Sequence, residues 1–504
     1  MRLRLHLLTV FFALFAAPVV ANDWVRAEST QFIVYSDGNR KGAAKAALEL
    51  ERLDALLRKL WRRDSTPNGS KLEVYLLKDS RSVNRMAGNE DNDIGIAGLY
   101  RGQTYGSFFM GNRRRSKFDE VLTGREVLFH EYAHHFFYQN FAIPAPAWFS
   151  EGFADYVSSA EVPESGGWAI GRPLQHRRTA IIYGGQVPIR DLLTGEDRND
   201  HLISFYAWSW AMTRYLYSSE QNRGSKITRY LALLNDGVDN LEAAEKAFGN
   251  LDRFALDLRE FVRTNSNFRR SATSLDFDDG VAVVELSKME SELLELKLLR
   301  LNLAKPQERL EALQNITSRP DASATAWYEL AQTRHELIEK NAGASIAQIE
   351  SALDRALELE PDHMRANVLR GLMHLKRSDD AESGEESELM SLEAAANFRR
   401  ALTTAPNHPW PTFNLAQALR YADSEGEERG ELLERAFALA PESGQIRFSY
   451  AAHLANNGEV DRAIRLLQII ANDPHGRGAS AASFIEQLET YRADADTEDD
   501  NGSE

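Results

Sequence analysis

The sequence predicts an α+β domain followed by an all-α array of helical repeats, and three observations carry that reading. Between residues 24 and 110, short β-rich runs alternate with an amphipathic helical stretch. Beyond about residue 285 the periodicity is helical throughout. Prolines at 320, 361, 406, 441 and 474 then recur at intervals close to the length of one helix pair. With 504 residues, 43% hydrophobic and 27% charged, the chain is ordinary globular material, long enough for two or three cores.

Residues 1–21 combine a basic start (Arg2, Arg4), an apolar run from Leu7 to Ala17 and a Val19-Val20-Ala21 ending, the pattern of a signal peptide. Export to a periplasm or to the outside is the expectation, with retention as an anchor the alternative. No later stretch approaches the roughly 18 apolar residues of a membrane span, so none is expected after cleavage. Cysteine is absent, which rules out a disulfide framework and leaves histidine and carboxylates as metal ligands. The formal charge is −16, and loss of Arg2 and Arg4 makes it more negative still. That balance disfavours nucleic acid and anionic membrane surfaces as partners.

From Trp24, the run Phe32-Ile33-Val34-Tyr35 reads as a strand, Ser36-Asp37-Gly38 as a turn, and Ala43 to Trp61 as an amphipathic helix. Lys71 to Leu77 is a second strand, and Ile96 to Met110, punctuated by Gly98, Gly102 and Gly106, a hairpin. Thr123-Gly124-Arg125-Glu126 fits a capping box before the helix that carries His130-Glu131-Tyr132-Ala133-His134.

Residues four apart on a helix lie one above the other, so His130 and His134 present two imidazoles to one divalent ion. A catalytic zinc takes three protein ligands and keeps a fourth position for water. Glu151, on the next helical tract Trp148-Phe149-Ser150-Glu151-Gly152-Phe153-Ala154-Asp155-Tyr156, is placed to be the third. Asp155, one turn on, can accept the free ring N–H of a ligating histidine. His135 is rotated about 100° from His134 and reads as a packing or surface residue.

His-Glu-x-x-His followed by Glu-x-x-x-Asp resembles the gluzincin metallopeptidases, and Trp-x-x-Glu-Gly-x-Ala-x-Tyr their smaller peptidase-MA-like relatives, over roughly residues 23 to 265. The resemblance implies a zincin-like metallopeptidase domain, zinc on His130, His134 and Glu151, and Glu131 as the general base. The physical reason for Glu131 stands beside it: zinc lowers the pKa of its water to about 7, within reach of a neighbouring carboxylate. In related peptidases a sheet edge holds the substrate backbone, and Ser107 to Met110 is the expected edge. A tyrosine near the start of a later helix faces the cleft in that group. Tyr206, in a helix from about Ser204 to Tyr217, is therefore the expected oxyanion donor, with His201 and Tyr183 as rivals. Helices from Ile227 to Leu234 and from Leu241 to Val262 are expected to complete this domain.

The last two proline intervals, 35 and 33 residues, bracket the 34 of a tetratricopeptide unit. Ala394, Phe398, Ala401 and Pro406 have that unit's internal spacing; Leu415-Ala416, Leu433, Ala436, Pro441, Ala451, Ala463 and Leu467 repeat its small and large positions. The region resembles a tetratricopeptide solenoid, which implies a surface for a protein partner or a peptide. Arg377 to Glu388 reads as an inserted loop, and 285 to 316 as a degenerate first unit.

The expected division is 1–21 signal peptide, 22–267 metallopeptidase domain, 268–281 linker, 282–492 repeat domain and 493–504 acidic disordered tail, with the two domains holding separate cores, or, as the alternative, with the repeats packed against the metallopeptidase domain as part of its core. The expected function is an exported zinc endopeptidase whose repeats recruit protein substrate or a partner. The alternative is a non-catalytic repeat scaffold with a vestigial or structural metal site.

Overall fold

The computed structural model describes residues 23–501 except 64–68, 90–96, 114–122, 197, 199–200, 219–222, 265, 340–343, 421–426 and 474–477. The signal segment, 1–21, lies outside the described residues.

The chain begins with β1 (Trp24–Glu28), β2 (Phe32–Asp37), α1 (Arg40–Trp61), β3 (Leu72–Leu77), α2 (Ser80–Met86), β4 (Gly98–Arg101) and β5 (Phe108–Asn112). There follow α3 (Gly124–Asn140), α4 (Ala147–Ser158), β6 (Trp168–Ile170), α5 (Gln175–Gly184), α6 (Ile189–Thr194) and α7 (Leu202–Leu216). Then come α8 (Arg223–Asn235), α9 (Asn240–Phe248), α10 (Leu251–Thr264), β7 (Arg269–Ser271) and β8 (Ala282–Glu285). The stretch read as one helix from Leu241 to Val262 is two, because Asn250 accepts the Arg253 N–H (2.8 Å) and caps a fresh start.

The main sheet has the order β4-β5-β3-β2-β1-β8, parallel at β2/β3 and β3/β5 and antiparallel elsewhere. Ser107 to Met110 is not the edge. β5 is flanked on both sides, and β4, the outer arm of the expected hairpin, is the free edge. Side-chain alternation divides the faces. Phe32, Val34, Leu72, Val74 and Leu76 pack on α1 and α3 in the larger core.

The other face overturns the expectation of separate cores. Trp24, Tyr75, Leu77, Phe108 and Met110 form one cluster with Leu294, Leu298 and Leu301 of α11 (Lys288–Leu301), the first helix of the repeat region. The expected linker is not one either: β7 pairs with β6, and β8 adds to β1 with Val25 opposite Glu285 and Glu28 opposite Ala282. An open strand edge leaves main-chain groups unpaired, and β8 satisfies those of β1.

After α11 the chain runs α12 (Pro306–Thr317), α13 (Ala324–Glu339), α14 (Ile346–Leu359), α15 (Met364–Asp379), α16 (Gly384–Thr404), α17 (Pro409–Ala418), α18 (Glu427–Leu439), α19 (Gly444–Asn456), α20 (Val460–Ala471) and α21 (Ala479–Asn501). It is a helical array of successive packed pairs. Pro361, Pro406 and Pro441 each stand two residues before a cap: the His363 ring accepts the Ala366 N–H (3.1 Å), the His408 ring that of Trp410 (3.2 Å), and Ser443 that of Ile446 (3.5 Å). The expected loop from Arg377 to Glu388 is largely helix, since it closes α15 and opens the 21-residue α16, with Ser378 bonded to Ser387 and Ser391. The acidic end is helical as far as Asn501, where a helix nucleated by packed residues propagates through Ala493 and Ala495. Among the described residues no helix is long and apolar enough to cross a membrane.

The first helices of the pairs and the turns before them face the N-terminal domain. Glu73 of β3 receives Lys297 of α11 (2.7 Å) and lies near Arg365 of α15 (3.9 Å). Tyr105 packs edge-on against Trp410, Ser107 donates to Glu442 (2.8 Å), and Tyr138 donates to Asp473 (2.9 Å).

Candidate metal centre

α3 begins as the sequence predicts: Thr123 accepts the Glu126 N–H (3.2 Å) and Glu126 accepts that of Thr123 (2.7 Å), which fixes the helix start and the pitch of its inner face. α4 follows after Pro144 and Pro146 and packs on both α3 and α7. Its contact with α7 is backbone to backbone, because a side chain at Gly152 would lie 2.2 Å from Thr213 Oγ1 and 2.3 Å from the Ser209 carbonyl. Gly152 thus brings its neighbour Glu151 to the histidines of α3. At the front, a Cβ on Gly98 would stand 2.4 Å from Val127, so the free strand β4 lies directly on α3 beside Glu131.

His130 Nε2 and His134 Nε2 are 3.2 Å apart, His130 Nε2 is 3.4 Å from Glu151 Oε2, and His134 Nε2 is 3.8 Å from the same oxygen. Three ligands at the vertices of a tetrahedron around an ion about 2.0–2.1 Å away are separated by about 3.3 Å. The donor set and its spacing therefore fit a zinc-sized ion with one open position. Burial disfavours a protonated His130, yet the hydrogen bonds and charges of Asp155 and Glu151 outweigh it and raise its pKa to about 10, which reports the two carboxylates that flank the ring.

Asp155 is 1% exposed and holds His130 Nδ1 at 3.0 Å while receiving Arg177 of α5 at 2.7 Å. Burial works against its charge, but Arg177 and His130 keep its carboxyl below the ordinary range. Tyr206 lies in the first turns of α7 with its ring 6.5 Å from that of His130 and under the Arg177 guanidinium at 5.2 Å. Burial, then the charge of Glu151, pushes its phenol well up, so it is a hydrogen-bond donor at any ordinary pH. Of its rivals, Tyr183 is 84% exposed on α5 and His201 is exposed just before α7. His135 is buried away from the triad, where its Nδ1 meets the Tyr100 hydroxyl (2.9 Å).

The triad opens into a cavity of about 580 Å³ lined also by Glu131, Tyr206 and β4. Its far wall comes from the repeats: Glu442, Gln445 and Arg447 near the start of α19, and Ile469, Ile470 and Asp473 at the end of α20. Sequence reasoning missed that wall, and it missed Arg177 and Ser150, whose hydroxyl is 3.4 Å from His134 Nδ1. Arg177 stands in a run of basic residues that looks like a solvated face. Ser150 precedes a proposed ligand, which was the one signal available.

No family model matches the sequence, and no curated protein does. Partial likenesses are found among solved structures, three of which follow. One is the tetratricopeptide protein TTC0263 of Thermus thermophilus, with 17% identity and a TM-score of 0.33 over 38% of this chain and 98% of that one. A double mutant of MamA from RS-1 has 15% identity and a TM-score of 0.27 over 41% and 97%. Yeast Tom70 has 13% and 0.22 over 60% and 78%.

Proposed function

We propose that the chain is an exported, zinc-dependent endopeptidase of gluzincin type in which the repeat array forms the second wall of the substrate cleft. The observation that carries this reading is the triangle of donor atoms from His130, His134 and Glu151 at tetrahedral spacing, opening into a cavity shared with Glu131 and Tyr206. His130, His134 and Glu151 would hold a zinc ion, which would supply a water acidic enough to ionise near neutrality. Asp155 accepts the Nδ1–H of His130, which fixes the tautomer and directs the Nε2 lone pair toward Glu151 and His134. Glu131 is the carboxylate that accepts the proton of the attacking water. Tyr206, kept protonated, donates to the substrate oxygen that gains negative charge. The free edge of β4 offers main-chain partners to an extended peptide.

The test is metal content and hydrolysis of unfolded casein by the full chain and its Glu131→Gln variant. Both proteins are expected to carry zinc, and the variant to lose about 100- to 10,000-fold in rate. Undiminished hydrolysis by the variant removes Glu131 from the mechanism.

A second reading is a protein-binding scaffold with a structural metal, favoured by the array of helix pairs, a fold that presents extended surfaces to other proteins. Zinc in both proteins with hydrolysis in neither supports that reading.

A further inference from the structure

The repeat wall of the cavity contains two ionisable side chains, each with a buried polar atom that lacks a hydrogen-bond partner among the described residues. Arg447 is 2% exposed. Its Nη2 donates to the Pro441 and Tyr138 carbonyls, and its guanidinium stacks over Phe437 at 5.4 Å. Among the described residues, its buried Nη1 has no hydrogen-bond partner, and the carboxylate whose charge acts on the group is that of Glu442. Glu442 accepts from Ser107 through one oxygen, while the other, also buried, has no such partner among them. Both side chains line the same cavity as the triad. A buried guanidinium with an N–H left without an acceptor is costly even with the Glu442 charge nearby, and it persists where something that enters the site completes its hydrogen bonding.

We infer that Arg447 is a substrate-binding residue that takes a carboxylate of the peptide, so that the repeat array, and not the metal-bearing domain alone, sets what the cleft accepts. The inference rests on the peptidase reading. Its chemistry is specific: an arginine held by main-chain bonds and an aromatic face presents its remaining N–H groups in a fixed plane, the geometry that suits a carboxylate. A chain-terminal carboxylate and an Asp or Glu side chain would both satisfy it, and peptides can separate the two.

The experiment uses the zinc-loaded full chain with Glu131→Gln, so that bound peptide persists, and two randomised pools of N-acetylated tetrapeptides, one ending in the free acid and one in the amide. Equilibrium dialysis read by mass spectrometry gives relative affinities. The expected result is retention of the acid pool, or of the Asp- and Glu-containing members of the amide pool, about ten- to a hundredfold above neutral members. Adding Arg447→Gln is expected to abolish that preference and leave neutral peptides unchanged, whereas Arg447→Lys keeps part of it. A purely structural role would lower all affinities together and leave the ratio as it was, which overturns the inference. Equal binding of carboxylate-bearing and neutral peptides by the parent protein also overturns it, whether or not the Gln variant folds, and leaves the peptidase reading standing. Zinc retained with no peptide bound from either pool overturns both.

Discussion

The two walls of the cavity are built in opposite ways. On the α3–α4 side, close backbone approach fixes the side chains, through Gly152 against α7 and Gly98 against α3, and Asp155 is shared between His130 and Arg177. On the repeat side, Arg447 is buried and Glu442 half-buried, and each keeps a buried polar atom without a hydrogen-bond partner. The first arrangement pairs its charges with one another at ion-pair distance, which fixes the geometry of the side chains. The second reserves its hydrogen-bonding capacity for what enters. The walls nevertheless depend on each other, because the sheet that carries β4 is covered on one face by α11.

The largest effect should come from separating the walls. A chain ending at Asn267 loses β8 and α11, so the edge of β1 is opened and Trp24, Tyr75, Phe108 and Met110 are uncovered. Such a fragment is expected to be insoluble or to lack near-ultraviolet circular dichroism. A soluble, zinc-binding fragment would show that the α3–α4 wall stands alone. Next in size, Glu73→Gln leaves Lys297 and Arg365 facing each other without their shared carboxylate, at an expected cost of about 3 kcal/mol by chemical denaturation. A loss below about 1 kcal/mol would mean that the Glu73 cluster contributes little to joining the two regions.

Acid should loosen the repeat wall. Burial, then the Arg365 charge, lowers the pKa of His408 to about 4, with Glu73 opposing. The folded state therefore binds its proton later than the unfolded state, whose value is near 6.5. The contribution is complete above about pH 6.5 and is lost as pH falls toward 4, on the order of 2–3 kcal/mol. Protonation also removes the ring acceptor that caps α17. His408→Ser, which copies the cap at Ser443, is expected to flatten the melting temperature between about pH 7 and 5, and an unchanged slope would dismiss His408. The smallest effect concerns the metal wall: Asp155→Ala should weaken zinc about 10- to 100-fold in a chelator competition, and unchanged affinity would refute its role.

What was legible in the sequence was local. The capping box at Thr123, the i,i+4 pair His130 and His134, and the proline before each helix pair are set by neighbours within a few residues, so spacing alone exposes them. Glu151 and Asp155 were legible for the same reason, as one face of one helix. The edge strand was misplaced because β4 and β5 have similar local patterns, and only pairing with β3 decides which is outside. Arg177, Arg447 and the strand β8 were invisible because their meaning lies in partners distant in sequence. The acidic tail failed for another reason: charge predicts solvation, while a helix already begun continues through residues that would not start one.

Strand β8 has a consequence for how the chain is made. Its partner β1 leaves the ribosome first, but residues 282–285 come after every other element of the N-terminal domain. Until then β1 offers an unpaired edge, a template for another copy of itself. Loop closure over that length is slow compared with forming the local helices. Completion of the N-terminal sheet and of the cluster on its outer face is thus tied to synthesis of the first repeat helix, which ends at Leu301.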